Sequence, residues 1–348
     1  MDEKKKNSSI ELLRLIATVG VIFCHVGICW LTYYGDSSTA TERIIYKSLN
    51  LLCHWPVPVF MAITGSLLLG KENMSYGKMW KYFKRIALLT LSFGWLYSMM
   101  ELYFNTRTLS VSLLWEGMKN ILSGNSWEHL WYMYMLLGIY LVLPVINLCK
   151  TKLPPPHCFW FLSVTFLFAS LLPTIGIERT FVNYPITSIY LIYLIMGYIL
   201  SSEKAQEYVK SHKINDMLLM GLCLLLFVVE GVMVTFDERI GLTLSKTWCS
   251  YTSPLVVLQS LIIFYLIVKR KNVFDRFCSN GVVKRMNRCS LGIYIVHMLW
   301  INIAIKLLHI NLMDYGWIAI LIGGASIYVL SWAMVEIMLK IPVLKNYL

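Results

Sequence analysis

Two basic side chains of different character share the first long apolar stretch, ELLRLIATVGVIFCHV: Arg14 and His25. On a helix, eleven residues at about 100° each return to within roughly 20° of one face, about 16 Å further along the axis. Glu11 and Thr18 fall near that face as well. An arginine there supplies a fixed positive charge, and a histidine is the side chain best suited to take and return a proton near neutral pH. Ionisable groups in so apolar a run are costly, which makes both candidates for chemistry. The competing reading has Arg14 snorkelling to lipid headgroups and His25 bonding a neighbouring helix.

Further candidates follow along the chain. His54 stands just before Pro56 and Pro58 in LLCHWPVPVFMAITGSLLLG. Prolines remove backbone donors, and such a break inside lipid is tolerated only against protein or a watery cavity. His54 is therefore a candidate to line the same cavity as His25, although a kink that serves packing alone fits equally. Thr64, Gly65 and Ser66 form a small-residue patch of the kind that lets helices approach. The stretch KENMSYGKMWKYFKR places Lys81, Lys84 and Arg85 among Trp80, Tyr82 and Phe83. That composition suits either anionic headgroups or a phosphate-bearing ligand whose base stacks on the rings. Trp131 and His297 are further possible cavity-lining residues, with an interfacial aromatic belt and helix packing as the alternatives. Glu101, Glu230, Lys306 and Glu336 are expected at the interfacial ends of spans. The nine cysteines show no CxxC pair and no metal spacing, so packing roles and no metal are expected.

The elements that must position these residues are legible in the apolar runs. With 57% hydrophobic and only 14% charged residues, the 348-residue chain has too little polar surface for a soluble globule. Disorder, collagen-like repeats and a soluble nucleic-acid binder are excluded by the same composition. Ten runs approach the length of about 20 residues that a helix needs to cross a bilayer. They are Ile10–Thr32, Ile44–Leu69, Ile86–Phe104, Leu130–Cys149, Cys158–Ile175, Ile186–Leu200, Ile214–Val234, Tyr251–Val268, Ser290–His309 and Tyr315–Met338. The expected fold is all-α, a polytopic transmembrane helix bundle of about ten spans forming one domain over residues 1–348.

The charge balance of +12 tests that arrangement. If the connecting segments alternate from a cytoplasmic N-terminus, 22 of the 31 Lys and Arg residues fall inside and 7 outside. The inside set contains Lys4–Lys6, the Lys71–Arg85 cluster and the Lys269–Arg288 cluster. Such a bias is what the positive-inside rule demands, and it puts both termini in the cytoplasm. Membrane lipids are then the partners of most of the positive charge, with no nucleic acid among them.

Several of these stretches resemble one known family. ELLRLIATVGVIFCHV is similar to the Arg-x10-His signature in the first helix of the membrane-bound acyltransferase-3 superfamily, landing on Arg14 and His25. WPVPVFMAITGSLLL resembles the superfamily's second helix, with Thr64 where serine is usual. HLWYMYMLLGIYLVLPVI is similar to its His-Leu-Trp-aromatic segment, here with His129, Trp131 and Pro144. CSLGIYIVH resembles its late segment, reaching His297. The similarity covers almost the whole chain, and within the superfamily it points to the branch of the enterobacterial common antigen O-acetyltransferase and related surface-polysaccharide O-acyltransferases. One departure is that the usual Arg-x-x-Arg pair before the third helix keeps only Arg85. Its first member falls on Tyr82, with Lys81 or Lys84 standing in for the charge.

The resemblance implies an integral enzyme of the bacterial cytoplasmic membrane, crossing it many times. It implies transfer of an acyl group, commonly acetyl, from acyl-CoA as co-substrate to a hydroxyl of an envelope glycan or lipid-linked sugar, with no bound cofactor. Arg14 and His25 would be catalytic, with Arg14 holding the donor and His25 acting on the acceptor hydroxyl. Lys81, Lys84 and Arg85 would contact the donor. The alternative is a carrier or flippase for a sugar or amino acid, since a proline-broken helix and buried histidines also occur in transporters.

Overall fold

In a computed structural model the chain is a helical bundle, with no strand among the described residues. Those are residues 8–70, 75–108, 110–152, 154–177, 188–213, 215–270 and 273–348. Lys4–Lys6, Lys71, Arg179 and Lys271 of the charge argument lie outside them.

Among the described residues, eight helical segments are long and apolar enough to cross a membrane: Ser8–Ser37, Ala40–Leu68, Tyr76–Thr106, Glu128–Cys149, Pro155–Thr174, Asp216–Ile240, Gly281–Leu307 and Trp317–Met338. Two shorter apolar helices, Ile189–Ser201 and Pro254–Val268, stand at the sixth and eighth expected spans. Helix is the answer lipid imposes on such sequences, because it satisfies backbone donors and acceptors within the segment. The chain is thus a polytopic helical membrane protein, the class that its composition indicated.

The helices pack as two compact units. The first comprises Met1–Gly70, Pro154–Ser290 and Asn311–Tyr328; the second comprises Lys71–Leu153, Leu291–Ile310 and Val329–Leu348. In the first unit, Ile10, Leu13, Ala17, Val59, Ala62, Ile63, Phe264 and Val268 form a core from three helices. Two glycines fix a close helix approach. A Cβ on Gly65 would stand 1.8 Å from the Leu194 carbonyl oxygen, and one on Gly197 would stand 2.1 Å from that of Ala62. Pro56–Leu68 and Ile189–Ser201 therefore touch backbone to backbone, as small residues permit in membranes. The approach expected of the Thr64–Ser66 patch is made by Gly65.

The proline-marked break is real and local. One helix ends at Leu52 and the next begins at Pro56, leaving Cys53, His54 and Trp55 between them. Pro56 and Pro58 occupy the first turn of the new helix, where a missing N–H costs nothing. Gly20 lets the Pro56 ring settle on the first helix, with a Cβ there meeting Pro56 Cγ at 2.6 Å. Gly27 does the same for the backbone of Tyr46 and Asn50. The side-chain amide of Asn50 donates to the Cys24 carbonyl at 3.1 Å.

In the second unit the long Tyr76–Thr106 helix carries a short companion, Ser112–Leu122. That helix lies in the Asn105–His129 stretch, which the apolar-run criterion leaves as a loop. Leu113, Gly117 and Ile121 recur at helical spacing and are buried, while Leu114, Trp115 and Leu122 are exposed. Gly94 admits Ile121, Gly117 admits Met99 and Trp95, and Trp95 Nε1 donates to the Leu114 carbonyl at 2.9 Å. At eleven residues this helix is shorter than the roughly 20 residues a membrane span needs.

Candidate active site

The Ser8–Tyr34 helix presents Arg14, Thr18 and His25. Thr18 is buried and its hydroxyl donates to the Arg14 carbonyl at 2.7 Å, while Arg14 itself is half-buried. His25 has Nδ1 at 2.9 Å from the Val21 carbonyl oxygen. A carbonyl only accepts, so Nδ1 carries the hydrogen and Nε2 is left with its lone pair. His25 is partly accessible although protein surrounds it, which suits a side chain that meets a substrate.

The same unit packs the segment bearing His54 against the helix bearing His25, through Asn50 on the Cys24 carbonyl and Pro56 on Gly20. His54 Nδ1 lies 2.5 Å from the carbonyl oxygen of Cys249. Its ring stacks on Tyr251, with centroids 4.4 Å apart and planes inclined at 30°. Tyr251 is held in turn: its carbonyl accepts from the Tyr193 hydroxyl at 2.8 Å, and its side chain is hydrogen-bonded with the Cys24 thiol.

The segment bearing Cys249 and Tyr251 is anchored by Asp237, a residue that motif reading passes over. Asp237 Oδ1 accepts from the Leu244 N–H and Oδ2 from the Ser245 N–H, both at 2.7 Å, and the Ser245 hydroxyl donates to Oδ2 as well. Lys47 stands 3.9 Å from the same carboxylate. The available signal is an aspartate followed by Gly241, where the helix ends in a left-handed residue, and then by a serine. Glu230, expected near an interfacial span end, is also held by protein. It is fully buried inside the Asp216–Ile240 helix, where Gln259 Nε2 donates to it at 3.1 Å. Its helix continues to Ile240, beyond the end of the apolar run at Val234.

The remaining sequence candidates lie in the second unit. Lys81 and Lys84 are exposed, and Lys84 lies over the Trp80 ring at 5.4 Å, with Trp80 stacked on Phe83. Arg85 differs: its Nε donates to the Tyr347 carbonyl at 2.6 Å and its Nη2 to the Leu348 backbone oxygen at 2.8 Å. Two of its donors are engaged by the chain itself, a pairing across 262 positions that no local pattern shows. Trp131 is half-buried beside Tyr132. His297 is fully buried, with Nδ1 2.6 Å from the Tyr294 carbonyl and its ring edge-on to His129 at 5.4 Å. It is packed on every side and offers no surface to a cavity. Glu101 and Lys306 pair with each other at 2.7 Å, and Trp127 Nε1 donates to the same carboxylate at 2.9 Å.

Arg14, His25 and His54 are therefore gathered in one unit, and Lys81, Lys84, Arg85, Trp131 and His297 in the other. Among the described residues, no group of three His, Cys, Asp or Glu side chains is arranged to hold a metal ion. What the first unit offers is an accessible imidazole with a fixed tautomer, an arginine on the same helix and a second accessible imidazole alongside. That is equipment for moving a proton off a hydroxyl, with a fixed positive charge about 16 Å away along the same helix.

A family model described as an acyltransferase domain, Acyl_transf_3, matches residues 7–336. The chain belongs to the acyltransferase-3 family and is a multi-pass membrane acyltransferase. Neither a curated protein nor a solved structure matches it. Membership in this family does not favour the carrier reading.

Proposed function

We propose that this acyltransferase takes an acyl group, acetyl in our reading, from acyl-CoA at the cytoplasmic face of a bacterial cytoplasmic membrane. It places the group on a hydroxyl of an envelope glycan or lipid-linked sugar, as the surface-polysaccharide O-acyltransferases do. The observation that carries this reading is His25: Nδ1–H directed at the Val21 carbonyl, which puts the lone pair of the neutral ring on Nε2, in a side chain that is only partly buried. Nε2 removes the acceptor proton as the oxygen attacks the thioester carbonyl. The C–O bond forms, the C–S bond breaks, and the thiolate leaves with the proton as CoA thiol. Arg14 offers a charge that does not titrate to a negatively charged part of the donor. Lys81 and Lys84 attract the CoA phosphates, with Arg85 joining them only once its hold on the Tyr347–Leu348 backbone is released.

Purified enzyme given acetyl-CoA and a candidate glycan should release free CoA only when the acceptor is present. The glycan should gain one acetyl mass by mass spectrometry. Acceptor-independent solute uptake into liposomes, with no acyl transfer, would sink the reading. Donor binding has its own test. A Lys81→Glu/Lys84→Glu enzyme should show an acyl-CoA KM raised about tenfold, with kcat nearly unchanged and the difference shrinking in high salt. Both side chains are exposed, so folding should be unaffected. An unchanged KM at low salt would remove these lysines from the donor site.

A further inference from the structure

We propose that His54 is a second base of the acyl-transfer site, and that Asp237 is the positioning residue that sets it. The proposal rests on the acyl-transfer reading above and extends it to groups outside the Arg14–His25 helix.

His54 interrupts a membrane-spanning segment at a place where an apolar residue would satisfy the helix break equally well. Its geometry goes beyond packing. The Cys249 carbonyl can only accept, so His54 Nδ1 carries the hydrogen and Nε2 keeps its lone pair, the same tautomer as in His25. Stacking on Tyr251 limits ring rotation. Like His25 the ring is partly accessible, whereas His129 and His297 are shut inside protein. His54 and His25 stand on segments packed against each other, since Asn50 donates to the Cys24 carbonyl at 3.1 Å on one side of them and Pro56 settles on Gly20 on the other.

The carbonyl that fixes this tautomer stands on a segment with a definite anchor. Asp237 is 5% exposed and captures the Leu244 and Ser245 amides, pinning the start of the Leu244–Trp248 turn. The Cys249 N–H then closes onto the Ser245 carbonyl at 3.0 Å, which delivers the Cys249 carbonyl to His54. Every link from Asp237 to the imidazole is a hydrogen bond or a covalent step within one unit.

In the transfer step the acceptor O–H proton goes to His25 Nε2 as the C–O bond forms and the thioester C–S bond breaks. His54 Nε2 takes that proton on, which returns His25 to its basic form, and the thiolate finally receives it as CoA thiol. No oxidant, reductant or further reactant enters.

The decisive variant is His54→Asn. An asparagine amide reproduces the Nδ1–H donor and can keep the bond to the Cys249 carbonyl, but it has nothing in place of Nε2. A second base predicts a kcat reduced by about 10–100-fold, with the KM for acetyl-CoA and the thermal midpoint in detergent unchanged. Asp237→Asn turns a two-amide acceptor into a group with one acceptor and one donor. It should lower kcat several-fold, and the double variant should be no slower than His54→Asn alone, because Asp237 acts through His54. Full activity of a stable His54→Asn enzyme, alongside a dead His25→Ala enzyme, overturns the second base and leaves the acyl-transfer reading intact. Activity in both would overturn that reading as well. Losses from His54→Asn and Asp237→Asn that multiply in the double variant would show Asp237 to act independently of His54. If Asp237→Asn does not fold, His54→Asn alone decides.

Discussion

A His25→Asn enzyme should be folded, membrane-inserted and almost inactive. The side-chain amide of asparagine stands where Nδ1–H stands, so the bond to the Val21 carbonyl survives and the first helix keeps its local structure. What is lost is Nε2, the nitrogen to which the proposal gives the acceptor proton. General-base contributions are typically 10²–10⁴-fold, and a loss of that order in kcat with an unchanged donor KM is the expected result. Measurement of acceptor-dependent CoA release, with the amount of enzyme normalised by its solubilised yield, gives the number. A loss under threefold would mean that the hydroxyl loses its proton elsewhere, and the role assigned to His25 would fall.

Accessibility, more than identity, separates the three histidines considered for the site. His25, His54 and His297 all place Nδ1 on a backbone carbonyl, so hydrogen bonding alone ranks them equally. The residues differ in surroundings: His297 is 0% exposed and edge-on to His129, whereas His25 and His54 retain surface. The sequence could not draw this distinction. An apolar span announces that a histidine is inside a bundle, but which helix lies against it depends on contacts between residues far apart in the chain.

The same reasoning divides what was legible from what was not. The long apolar runs identify the helices because lipid leaves the backbone no other answer, and the Arg14–His25 face follows from helical geometry on one segment. Pro56 and Pro58 mark the break within two residues of its position. Illegible were the interactions that close over long separations: His54 with Cys249 across 195 positions and Arg85 with Tyr347 across 262. Glu230 was read by its nearness to the end of an apolar run. Its burial comes with Gln259, a partner 29 positions away on another helix, while its own helix continues through Asp237 to Ile240.

The fold itself has a vulnerable point that a single methyl group should expose. Gly65→Ala adds one carbon that would stand 1.8 Å from the Leu194 carbonyl oxygen and 2.7 Å from its carbon. These are backbone atoms of a packed helix, so no rotamer change relieves the overlap. The Pro56–Leu68 and Ile189–Ser201 helices must separate, which forfeits their dispersion contact along the whole seam. Overpacking of this kind costs typically 1–3 kcal/mol and more when backbone must move. With the clash on backbone from both sides, we expect the upper end or beyond, seen as a fall in thermal midpoint on the order of 10 °C in detergent. Gly197→Ala should behave alike, since its added carbon would stand 2.1 Å from the Ala62 carbonyl oxygen. Gly231→Ala is the control: it lies within the Asp216–Ile240 helix, and nothing comes within 4 Å of its added carbon. There the change removes a poor helix former and should be neutral or stabilising by up to about 1 kcal/mol. If Gly65→Ala and Gly231→Ala melt alike, the two helices do not meet backbone to backbone. The Pro56–Leu68 helix, which begins directly after His54, would then need another means of being held in place.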